Sequence, residues 1–165
     1  MRMRVGSSSR DAMFRDAMSN NTMRVNRSIP EATVIPVLTY PSVPDAVEWL
    51  GAAFGFVERV RIGEGHRAQL SVGDGAVIIA DSGGNRRPPD ASAITHSVII
   101  RVADVHSMFD QALREGARVM MESTDFPFGE RQCALQDPWG HLWTFSQTIA
   151  DVAPEEWGGQ TRGSA

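Results

Sequence analysis

The feature that most constrains this chain is that it repeats itself. Ser42 falls on Asp104, Val43 on Val105, Val47 on Phe109 and Leu50 on Ala112, each at an offset of 62 residues. Farther on, Gly65-His66-Arg67 falls on Gly129-Glu130-Arg131 at 64, and Gly75-Ala76-Val77 on Gly140-His141-Leu142 at 65. Small insertions in turns account for the drift. Repetition at this spacing means that one supersecondary unit is built twice.

Each copy reads as strand, helix and three strands. Residues 34–40, VIPVLTY, are a β-branched and aromatic run; Ser42 is an N-cap with Pro44 in the first turn, and Gly55 is a C-terminal cap. Strands follow over 56–62, 66–72 and 76–81, the last two joined by Gly73-Asp74-Gly75. In the second copy, residues 96–102 form a strand, Asp104 caps a helix that Gly116 stops, and a strand covers 117–122. A hairpin over 126–147 completes it, its alternating strands joined by Asp137-Pro138-Trp139-Gly140, a type I turn sequence. The fold class is therefore α+β: two tandem βαβββ modules forming a curved eight-stranded cup with helices on the outside, the concave side open to a ligand. The domain spans 31–149, with module one at 33–81, a Gly/Pro-rich linker at 82–93 and module two at 94–149. Residues 1–30 read as a disordered arm and 150–165 as a tail.

Composition narrows the chemistry. A net charge of −4 argues against nucleic acid or an anionic membrane surface as partner. All sixteen basic residues are arginine, so Schiff-base chemistry and a phosphate-loop lysine are excluded. The lone Cys133 lies in a predicted strand and reads as a buried reduced thiol. No run reaches the length of a membrane span, and the cytoplasm is the default location.

The paired βαβββ pattern, the AAFGF helix end at 52–56, the VADVHSMFDQALREGA segment at 102–117, and FGERQ followed by DPWGHLWTFSQ resemble the vicinal oxygen chelate superfamily of glyoxalase I, extradiol dioxygenases and bleomycin or fosfomycin resistance proteins. The last segment is similar to the turn and final strand of glyoxalase-like bacterial proteins. The resemblance implies a divalent metal in the cup, held by His, Glu or Gln from the first and last strand of each module. Carried over, those positions are Ile35, Ile79, Ser97 and Thr144, and a one-residue slip gives Pro36, Ala80, His96 and Phe145. Neither set is a competent ligand sphere, so the expected cofactor is none, with a divalent metal as the alternative.

The expected function is a metal-independent small-molecule binding protein of the glyoxalase and bleomycin-resistance type, holding an anionic or aromatic ligand as a homodimer. The alternative is a lyase, isomerase or dioxygenase of the same superfamily with a relocated metal or an acid/base site. For the alternative, His66 and Glu130 are the catalytic candidates, with His96 as a further ligand. For the binding reading, Arg101, Arg131, Gln132, Trp143 and Thr144 are the ligand-binding candidates. The arginines suit a carboxylate or phosphate, and Trp143 either packs in the core or stacks on a flat ring. Ile35, Val37, Ile79, Ile99 and Leu142 are the expected apolar lining.

Overall fold

Both helices begin where a side chain can satisfy their first backbone donors. In the computed structural model, which describes residues 24–90 and 92–162, Ser42 Oγ accepts from Asp45 N at 3.4 Å and Asp104 Oδ1 from Ser107 N at 3.1 Å. The helices are α1 (Val43–Phe54) and α2 (Val105–Arg114). Gly55, at φ 71°, closes α1 in the left-handed region.

The strands of module one are β1 (Val37–Tyr40), β2 (Val57–Ile62), β3 (Arg67–Val72) and β4 (Gly75–Asp81); those of module two are β5 (Ser97–Arg101), β6 (Arg118–Asp125), β7 (Glu130–Gln136) and β8 (Leu142–Thr148). Each module forms its own four-stranded sheet, ordered β1-β4-β3-β2 and β5-β8-β7-β6. In both, the first strand runs parallel to the last and the remaining pairs are antiparallel. The repeat is thus realised as two βαβββ modules, the architecture expected from the offsets. β1 starts later than its apolar run because Pro36 has no N–H to give; its carbonyl still accepts from Ile78 N.

The pleat divides each sheet into a helix face and a cup face. In module one Leu38, Tyr40, Ala68, Leu70, Val77 and Ile79 are buried under α1, whereas Val37 and Ile78, paired in register, point the other way. In module two Cys133, Leu135, Trp143 and Phe145 are buried on the helix face. Burial pushes the Cys133 thiol up to about 11, which keeps it protonated near neutral pH.

No strand pair among the described residues joins the two sheets, so the cup consists of two half-walls and not one continuous ladder. The modules dock through their helices and through side chains. Trp49 Nε1 donates to Glu115 O at 2.8 Å, Gln111 Nε2 donates to Ala52 O at 3.0 Å, and Phe54 packs edge-on against Trp143 and Phe145.

Of the arm expected over 1–30, residues 1–23 lie outside the described residues, and 24–30 lie against sheet one, where Arg59 and Gln69 bond the carbonyls of Arg27 and Ser28. The tail folds back as well. A short 3-10 helix, Pro154–Trp157, brings Trp157 to 5.6 Å from the ring of Phe128 at the β6–β7 turn. Among the described residues no helix is long and apolar enough to cross a membrane.

Candidate functional site

The cup face of sheet two carries a continuous polar ladder. Arg101 Nη2 donates to Thr148 Oγ1 at 3.0 Å, Thr148 Oγ1 donates to Glu130 Oε1 at 2.6 Å, Ser146 Oγ donates to Glu130 Oε2 at 2.7 Å, and Gln132 Nε2 donates to Ser146 Oγ at 2.9 Å. Strand register explains why these groups meet: Arg101 pairs with Ser146, Gln132 with Ser146, and Glu130 with Thr148. The two hydroxyls, Thr148 first, together with the positive charge of Arg101, hold the Glu130 carboxyl below the usual carboxylate range. Thr144 and Leu142 share this face, and beside them Ile99 is 62% exposed.

Next to the ladder lies a cleft of about 520 Å³ between the modules, bounded by Phe54 at the end of α1, Phe56, the β3–β4 turn, and β5. Its lining is mostly apolar, with Arg101 and Asp74 the charged residues. A volume of this size suits a small organic molecule. Arg101 is exposed and makes no ion pair with a carboxylate among the described residues. It reaches Glu130 only through Thr148, and its Nη1 and Nε donate to no group among the described residues.

Arg101, Gln132 and Thr144 are therefore brought together on the cup face. Arg131 and Trp143 lie on the opposite face of the sheet, Trp143 in the core place that its sequence left open. Strand alternation turns Arg131 to the helix face, where it forms a fork on Asp125 (2.5 and 2.8 Å) and donates to His106 Nε2 at 3.2 Å. Trp143 is fully buried against Phe54 and Phe56. The candidates His66 and Glu130 belong to different modules, each with its own partners. His66 lies beyond β3 in module one and donates from Nδ1 to Asp81 at 2.9 Å, while Glu130 belongs to the ladder of module two. Asp81 is held below its ordinary range by this bond, with Arg86 adding its charge.

Nor does the predicted apolar lining stand unchanged. Ile79 is buried in the core, because it pairs with Leu38 on the helix face. The residues facing the cup from β1 with β4 and from β5 with β8 are Val37 and Ile78, Thr39 and Ala80, Ile99 and Thr144, and Arg101 and Ser146. This donor set does not fit a divalent metal, being hydrocarbon, hydroxyl and guanidinium with the carboxylate of Glu130 already engaged. Among the described residues there is no cluster of three or more His, Cys, Asp or Glu that could hold one. The ring of His96, the single ligand of the slipped set, stands 5.8 Å from the ring of His141.

Sequence reasoning missed Asp137 as more than a turn residue. Its Oδ1 accepts from Trp139 N and His141 N, and its Oδ2 accepts from Tyr40 Oη at 2.7 Å and Trp143 Nε1 at 3.1 Å. The turn thus carries a carboxylate that bolts module one to module two. His141, whose pKa is lowered by burial, donates from Nε2 to Thr39 O at 2.8 Å and reinforces the same junction. The Asp-Pro-x-Gly signal was present, but nothing local indicates that a tyrosine 97 residues away closes on it.

Comparison with known proteins gives a consistent picture. A family model described as Glyoxalase/Bleomycin resistance protein/Dioxygenase superfamily matches residues 33–145. An uncharacterized protein of Mycobacterium tuberculosis (strain H37Rv) is 29% identical over 146 residues, covering 82% of this chain and 84% of its own length. The crystal structure of TioX from Micromonospora sp. ML1 is 32% identical, with a TM-score of 0.59, and covers 70% of this chain and 98% of that one. A fosfomycin resistance protein of Listeria monocytogenes, solved with manganese(II) and a dihydroxypropylphosphonic acid, has a TM-score of 0.57 at 12% identity, over 79% of this chain and 97% of that one. At that identity the likeness concerns the fold alone.

Proposed function

Because this chain belongs to the Glyoxalase/Bleomycin resistance protein/Dioxygenase superfamily, we propose that it is a metal-independent binding protein of the cytoplasm that holds a small anionic or aromatic molecule in its cup. The observation that carries the reading is Arg101: an exposed guanidinium at the mouth of an apolar cleft, oriented by Thr148 and Glu130, with donors left for an anion. Val34, Pro36 and Ile99, which line the same cleft, supply the flat apolar contact that an aromatic group needs. Metal independence rests on the donor set, which replaces ligating side chains with hydrocarbon and hydroxyl groups.

The probe of choice is 8-anilinonaphthalene-1-sulfonate, an aromatic anion whose fluorescence reports burial. Arg101→Met is expected to weaken its binding about tenfold, the loss of one charge-assisted contact. A chelator should leave the affinity unchanged. Equal binding by wild type and variant would remove the anion-reading role, and loss of binding on chelation would return the weight to a metal site.

We further propose a homodimer. Val37 is 50% and Ile99 62% exposed, and the outer edges of β1 and β5 pair with no strand among the described residues. A second copy would complete the two half-walls and cover this apolar surface. Sedimentation velocity should then give twice the chain mass of 18.0 kDa; a single-chain mass at micromolar concentration would refute the dimer.

A further inference from the structure

Gln69 is a polar side chain on a sheet face, and the fold covers it. It pairs with Ile78 and so lies on the cup face of sheet one, between Ala68 and Leu70, which face the helix. On an open face it would be solvated, yet it is 4% exposed. What covers it is the chain's own segment before β1. Gln69 Nε2 donates to Ser28 O at 2.8 Å, and Arg59, whose Nη1 donates to Gln69 Oε1, donates from Nη2 to Arg27 O at 3.0 Å. The segment is a turn in which Ser28 N and Ile29 N donate to the side chain and carbonyl of Asn26, and Pro30 is buried behind it.

We propose that Arg59 and Gln69 form a second ligand subsite, for a group presenting two acceptor oxygens such as a carboxylate, sulfonate or peptide carbonyl pair, and that residues 26–30 occupy it in the free protein as a displaceable strap. The two donors are matched in the free chain by two consecutive backbone carbonyls, so the chain itself displays the chemistry that the site accepts. The strap is displaceable because a ligand with equivalent oxygens replaces each hydrogen bond, leaving little net cost beyond releasing one exposed turn. This rests on the reading above only in taking the cup face as the ligand face.

The test uses the full chain. Arg27 O, the carbonyl of the bond that trypsin cuts after Arg27, is the group held by Arg59, so a seated strap is protected there. Mass spectrometry follows the rate of this cut with and without 8-anilinonaphthalene-1-sulfonate, in wild type, Arg59→Met, Gln69→Met and Arg101→Met, with circular dichroism confirming that each variant folds. Loss of one anchoring bond should speed the cut about tenfold in the Arg59 and Gln69 variants, and saturating probe should speed it similarly in wild type. A cut that neither the probe nor these substitutions accelerate overturns the strap. Probe binding that falls in Arg101→Met while the Arg27 cut stays unmoved in every form sustains the cup reading and rejects the strap. Acceleration by the probe in Arg101→Met as in wild type sustains the strap independently of Arg101.

Discussion

Asp137→Ala is expected to lower the unfolding free energy by about 3 to 5 kcal/mol, the cost of breaking a buried charge-centred network. The carboxylate is 4% exposed and serves four donors at once. Its removal leaves the Tyr40 hydroxyl and the Trp143 indole N–H without an acceptor in a core where both residues are fully buried. Two backbone N–H groups of the β7–β8 turn lose their partner as well. Tyr40, whose ionisation burial and the neighbouring carboxylate push far upward, cannot relieve the network by losing its proton. Asp137→Asn should cost less, because one oxygen still serves the turn, and Tyr40→Phe less again, about 1 kcal/mol for one bond. Urea unfolding of the three variants gives the order. A loss below about 1 kcal/mol for Asp137→Ala would mean that the junction is solvated and does not bolt the modules.

Gly129→Ala is the second large effect, about 2 to 4 kcal/mol, because strain and collision coincide. Gly129 has φ 81°, and a Cβ there would stand 2.2 Å from Ala150 O and 3.1 Å from Val152. The obstacle is backbone, and the contact cannot be eased by a rotamer change. Gly129 O also accepts from Ile149 N and Ala150 N, so any shift detaches the start of the tail. For a chain of this size the melting temperature should drop by about 5 to 15 °C. Gly116→Ala is the control: φ is 84°, but a Cβ there meets nothing within 4 Å, so conformational strain alone, about 1 kcal/mol, should remain. If the two variants melt together, the tail is not packed on Gly129. Trp157, seated on Phe128, offers a fluorescence readout of tail release in the same experiment.

The candidate site was legible in part, and the division follows physical lines. Arg101, Gln132 and Thr144, all ligand-binding candidates, share the cup face, because alternation along a strand is fixed by the backbone. Arg131, a candidate for the same role, lies one residue out of phase, behind the sheet, and Trp143 takes the core place of its two alternatives. The apolar lining failed at Ile79 for the same reason. Its place in the repeat was anchored on a glycine turn, and one residue of uncertainty there exchanges core for cup. His66 and Glu130 correspond in the repeat, yet that correspondence relates positions in two modules and does not bring them together.

The sequence by itself determined the two modules, the caps of both helices and the Asp137 turn. Each of these depends on periodicity, local backbone conformation or side-chain chemistry, which neighbouring residues carry within a few positions. Only the tertiary structure decided how the modules dock: through helix contacts and the Tyr40–Asp137 bond, leaving the sheets as separate half-walls. It alone decided that Arg101 is oriented by Thr148 and Glu130, and that residues 26–30 lie across Arg59 and Gln69. These contacts join residues far apart in the chain. Their partners are selected by complementary donors and acceptors once the strands have aligned, and no local pattern encodes that choice.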